Sequence, residues 1–172
     1  MFIEPIQRIM IRELQGMKNE LLAYQSEGDI WRSVPGLPNT AGTIALHVAG
    51  NLQHFIGAQL GKSGYIRDRE AEFGRRDVPV AEMVEEIDNT IAALDAAFGR
   101  LEEELLERPF PQEIAGVRPT VGEFLVHLVA HLAYHLGQID YHRRCVTGDA
   151  TTAGVLSPRD LKSVGANQSG VP

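Results

Sequence analysis

Apolar residues Ile3, Ile6, Met10, Leu14, Met17, Leu21 and Tyr24 recur at steps of three and four, the period of a helix that buries one face. This first helix is expected to end by Gly28. The stretch SVPGLPNT holds Pro35, Gly36 and Pro38, which cannot extend a helix, and offers Asn39 or Thr40 as the cap of the next one. A second helix is predicted over about residues 40–60, with Ile44, His47, Val48, Asn51, His54, Phe55 and Ala58 on its inward stripe. The connection GKSGYIRDREAEFGRRDVP then mixes glycines with both signs of charge and leaves room for about one helical turn. From Val80 the positions Val84, Ile87, Ile91, Leu94, Phe98, Leu101 and Leu105 alternate steps of four and three, which suits the seam of a near-antiparallel bundle. Pro109 and Pro111 close this third helix. Thr120 and Glu123 match a capping box, and a fourth helix is predicted over about residues 121–147, stopping before Gly148.

Four helices with no strand-like alternation and no internal repeat predict an all-α fold, a four-helix bundle with a long connection between helices 2 and 3. A chain of 172 residues accommodates one such domain over residues 1–150, with the tail 151–172 expected to be extended or partly disordered. The 44% hydrophobic and 23% charged residues are those of a folded soluble protein. A formal net charge of -7 opposes a phosphate backbone, so no nucleic-acid partner is expected. Glu4, Arg8, Arg12 and Glu13 interrupt the N-terminal stretch, and no apolar run reaches the ~18 residues of a membrane span, so no membrane partner is expected. A lone cysteine, Cys145, cannot form an internal disulfide; the protein is expected to be cytoplasmic, with Cys145 packed near the end of helix four.

The segment HLVAHLAYHLGQIDYH spaces His127, His131 and His135 four residues apart and adds His142 beyond them. Positions four apart on a helix lie about 6 Å along its axis and about 40° around it, close enough for two imidazoles to share one ion. The ordinary role of such histidines is a hydrogen-bonded place in the core or on the surface. His47, near the middle of the second helix's buried face, adds an imidazole from a separate element, as metal sites in bundles usually require. Unsatisfied buried polar groups cost on the order of 1–3 kcal/mol each, and a divalent ion would remove that cost. The pairs His127/His131 and His131/His135 overlap, and periodicity does not choose between them. His54 lies one heptad from His47, and His142 sits where a protonated ring would meet the helix dipole.

The pattern TVGEFLVHLVAHLAYHLGQIDYHRR resembles the last helix of the DinB-like (DinB/YfiT-like) superfamily, whose members carry a His-x3-His pair ending in His-x-Gly-Gln; here these are His131, His135, Gly137 and Gln138. TIALHVAGNLQHFIGAQLGKSGYIRDREAEF resembles the second helix and following loop of the same group, with His47 at the place of its remaining histidine. The likeness spans about residues 5–147. It implies a four-helix bundle holding a divalent metal, with His47, His131 and His135 as the ligands and His127 outside the set. Leu136 stands where many relatives have arginine, so an anion contact made by that arginine would be missing here. The resemblance also implies a homodimer, and its characterised members include enzymes using low-molecular-weight thiols such as mycothiol or bacillithiol.

Three neutral imidazoles leave an ion its full charge and an open position, as in catalytic zinc sites. Imidazole suits zinc, nickel, iron and copper alike; zinc or nickel is the expected ion, with iron, manganese or copper as alternatives. The expected function is therefore that of a metal-dependent enzyme, a thiol S-transferase using a metal-activated low-molecular-weight thiol or water on an unnamed small-molecule substrate. Gln138 and Asn51, each one turn beyond a ligand, are the candidate catalytic donors, against the competing role of core hydrogen bonding. Tyr65, Arg67 and Arg69 are candidate contacts for a thiol cofactor's carboxylates, against a solvated loop shared with Glu70 and Glu72. The alternative function is a non-catalytic metal- or ligand-binding bundle.

Overall fold

In the computed structural model, which describes residues 2–154, α1 (Ile3–Leu22) buries the predicted stripe Ile3, Ile6, Met10, Leu14, Met17 and Leu21. Its N-terminus is capped from far along the chain: the Glu103 carboxylate accepts from the amides of Phe2 at 3.1 Å and Ile3 at 3.2 Å. The helix stops at Leu22, short of the expected limit, and a separate turn, α2 (Glu27–Ile30), follows. Thr40 caps α3 (Ala41–Leu52), its side chain accepting from the Thr43 amide at 3.3 Å. Every residue of α3 is buried, so this helix runs through the middle of the molecule. Gly42 is required there, because a Cβ at this position would lie 2.5 Å from the Trp31 ring.

The predicted second helix is continuous over its expected span but changes character: Gln53–Leu60 winds as a π-helix. The connection that follows contains one short helix, α4 (Arg69–Gly74), capped by Asp68, and leads into α5 (Val80–Phe98). The predicted run of α5 through Leu101 and Leu105 does not occur. The helix ends at Phe98 and a 3-10 turn at Glu103–Glu107 takes over, keeping both leucines half-buried against the core. α6 (Val121–Thr147) opens with the predicted capping box, Glu123 N–H to Thr120 at 3.2 Å and Thr120 N–H to the Glu123 carboxylate at 2.9 Å. It closes at Gly148, whose φ of 70° is the left-handed conformation that favours glycine.

The result is an all-α bundle in which α5 and α6 each pack against both α1 and α3. Two isolated β-bridges, Pro109 with Thr120 and Ile114 with Val117, shape the turn before α6, and no strand occurs among the described residues. No helix among them is long and apolar enough to cross a membrane.

Charge also lies inside the bundle. Arg143 and Glu20 are fully buried and paired at 2.5 Å between α6 and α1. Arg143 further donates to the Thr151 carbonyl at 2.6 Å, and Glu20 accepts from the Gly154 amide at 2.6 Å. Residues 151–154 of the expected tail are thus bound to the bundle, and the rest of that expectation lies outside the described residues. Cys145, expected to pack, is exposed on the outer face of α6.

Candidate metal centre

His47 is presented by the buried helix α3, and His131 and His135 by one face of α6. Their ring centroids lie 5.4 Å (His47 to His131), 5.3 Å (His47 to His135) and 4.4 Å (His131 to His135) apart. One nitrogen from each falls within 4.8 Å of the other two. This convergence selects the His131/His135 pair that periodicity left open. His127 stacks on Phe124 at 5.7 Å and is exposed, outside the group.

Hydrogen bonds orient two of the three rings. The Glu72 carboxylate accepts from His47 Nδ1 at 3.0 Å and is itself gripped by Arg67, whose Nε and terminal nitrogen donate at 2.6 and 2.8 Å. Burial pushes the Glu72 carboxyl upward, but the bonds from Arg67 and His47 outweigh it and hold the group below its ordinary range. An ionised acceptor at Nδ1 fixes the proton there and leaves Nε2 of His47 as a lone pair. Gln138 does the same for His135, its Oε1 accepting from Nδ1 at 2.7 Å.

The Nε2 atoms of His131 and His135 are then 3.1 Å apart. Two ligands each ~2.0–2.1 Å from one tetrahedral ion would be separated by about 3.4 Å, close to this spacing. Facing lone pairs at such a distance repel unless a proton or cation lies between them. His131 Nδ1, moreover, is buried with no hydrogen-bond partner. Burial, then the neighbouring His135 and His47, lowers the His131 pKa to about 4; burial likewise lowers that of His135. The His131 and His135 rings are therefore neutral at physiological pH, the protonation state a metal requires. The donor set fits a divalent ion.

The other expected residues divide. Asn51 is buried one turn after His47, and its Oδ1 has no partner. Arg67 is committed to Glu72, with its guanidinium 5.6 Å above the Phe55 ring. Arg69 is exposed, 5.1 Å over the Phe73 ring. Tyr65 borders a cleft with Asp68, Glu72 and Glu86, where burial and then the Glu72 charge raise its pKa. Leu136, at the place of the relatives' arginine, is buried in the core. His54 faces away from the cluster and meets Gln112 at 2.9 Å. His142, expected as a cation at the helix end, is instead buried between the Tyr24 hydroxyl, 2.7 Å from Nδ1, and the Arg32 carbonyl, 2.8 Å from Nε2; burial lowers its pKa, so it is a neutral core residue.

Glu72 was hidden in the sequence, where it reads as one acid of a solvated loop, yet it is only 5% exposed. The signal that could have found it is the general need of a ligating histidine for an acceptor on its second nitrogen, sought in the loop nearest His47. Gly50 makes the arrangement feasible, since a Cβ there would collide with the Glu72 carboxylate.

A helical bundle in which two elements bring three imidazoles to one point, each with an oriented or unpartnered second nitrogen, defines a protein with a histidine cluster able to hold a metal ion. The chain belongs to the DinB superfamily, whose profile matches residues 7–139. No curated protein and no solved structure matches it.

Proposed function

We propose that this protein is a metal-dependent enzyme that transfers a low-molecular-weight thiol, or water, to a small electrophilic molecule. The observation that carries this reading is the convergence of His47, His131 and His135 with no carboxylate or thiol joining them among the described residues, which leaves a bound ion a position open to a reactant. A divalent ion held there supplies Lewis acidity that lowers the pKa of a thiol or water. Glu72 and Arg67 keep His47 in one tautomer, and Gln138 keeps His135 in one. Asn51 offers a buried acceptor, Oδ1, for a reactant's hydrogen. Arg69, free of any carboxylate partner among the described residues, is the group best suited to meet a thiol cofactor's carboxylate.

The test is a panel of low-molecular-weight thiols and electrophiles, assayed with metal-loaded protein and with His135→Ala. Thiol-dependent conversion by the wild type that falls to background in the variant is expected. Background rates for every pair would favour a bundle that binds metal without catalysis.

A further inference from the structure

Beside the histidine cluster, between the turn at Leu37–Asn39, the start of α3 and the second half of α6, lies a cavity of about 350 Å³. That volume falls within the ~300–1,000 Å³ typical of small-molecule sites. Its walls are apolar or aromatic: Leu37, Pro38, Ile44, Tyr134 and Tyr141. His142 also borders it, but both ring nitrogens are already occupied by Tyr24 and Arg32. No Asp, Glu, Lys or Arg lines it among the described residues. The lining residues that carry free polar groups are Asn39 and Gln138, with their amides, and the two tyrosines, with their hydroxyls. Gln138 uses Oε1 on His135, and its amide nitrogen has no partner among the described residues.

We propose that this cavity binds a neutral, largely apolar small molecule bearing a hydrogen-bond acceptor, with an aromatic α,β-unsaturated ketone as the representative class. The tyrosine rings supply flat apolar faces for an aromatic body. The Gln138 amide N–H groups meet the ketone oxygen. An anion is disfavoured, because a carboxylate would lose its water here without gaining a cationic partner. Gln138 belongs to both regions, lining the cavity and meeting His135 Nδ1 through its Oε1. The occupant's role as the electrophile rests on the function proposed above; its binding does not. In that role the thiol sulfur forms a bond to the β-carbon, the π electron pair moves toward the carbonyl, and the α-carbon takes the proton the thiol gives up, so nothing further is consumed.

Benzylideneacetone serves as the probe and cinnamate as its shape-matched anion, each titrated into metal-loaded and metal-stripped protein and followed by ligand NMR line broadening. Tyr134→Ala and Tyr141→Ala are the variants, both at exposed positions whose loss leaves the core intact. Saturable binding of the enone to both forms is expected, with cinnamate weaker by about tenfold or more. Each tyrosine variant should weaken the enone by about two- to tenfold, with metal content and melting temperature unchanged. No saturable binding to the wild type, equal binding of cinnamate, or indifference to both variants overturns the assignment. So does dissociation of an oligomer by the tyrosine variants without enone binding, which would make a second copy of the chain the occupant. Enone binding without thiol-dependent turnover of any electrophile upholds the site and sinks the catalytic proposal; turnover without enone binding does the reverse.

Discussion

Glu72 lies 3.0 Å from Nδ1 of His47 while Arg67 holds both of its oxygens, so the orientation of a histidine on the buried helix is set by a short helix some twenty-five residues further along the chain. Partners of this kind typically contribute 10- to 100-fold to metal affinity. Glu72→Gln, which removes the charge but keeps the shape, is expected to weaken zinc binding by about 10- to 100-fold in a chelator competition. Gly50→Ala should act in the same direction by displacing the carboxylate. Unchanged affinity in both would reduce the contact to packing.

Ligand binding to the folded state alone stabilises it by about 2.7 kcal/mol when free metal is 100 times its dissociation constant. Wild-type protein should therefore melt at a higher temperature with zinc than after chelation. His135→Ala is expected to lose that difference and His127→Ala to keep it, since His127 stacks on Phe124 outside the cluster. Thermal melts with and without chelator, read beside elemental analysis, check both.

In the metal-free protein the pH dependence has a definite sign. His131 titrates near 4 when folded, because burial and then the adjacent histidines oppose its charge, against an ordinary value of 6.5. Between those values the unfolded chain binds more protons than the folded one, so stability rises with pH across this window and is lost as pH falls through it. His135, shifted the same way, adds to the slope. Urea unfolding of chelated protein at pH 7 and pH 5 should give the lower midpoint at pH 5. His131→Gln should flatten the dependence, and a slope that persists in full would assign it to other groups.

Removing one partner of a buried ion pair leaves an uncompensated charge and costs about 3–5 kcal/mol. Glu20→Ala should approach that figure in urea unfolding, because the same change also frees the Gly154 amide. The double variant Glu20→Leu/Arg143→Met is expected to be much less destabilised than either single change. If the single and double variants lose similar amounts, the pair is not coupled.

The bundle was legible because its helices announce themselves through local rules. The α1 stripe, the Thr40 cap, the Thr120 and Glu123 box and the Gly148 stop each depend on residues within a few positions of one another. The His131 and His135 spacing was legible for the same reason. What the sequence concealed is non-local. Glu103 capping α1, Glu72 turning inward to His47 and Arg143 meeting Glu20 across 123 positions are polar residues whose partners no periodicity can name. The early end of α5 is not legible because Leu101 and Leu105 keep the apolar period after the helix has ended at Phe98. His54 was read in register with His47, but the helix widens into π geometry at Gln53, where an α-helical wheel no longer applies.

The lacing of residues 149–154 onto Arg143 and Glu20 decides how short a working fragment can be. A protein cut at Thr147, where the last helix ends, would lose the Asp149 and Thr151 carbonyls and the Gly154 amide that share this interior charge pair. Water would then enter between the first and last rods of the bundle. A minimal fragment intended for crystallisation or assay must therefore extend through Gly154.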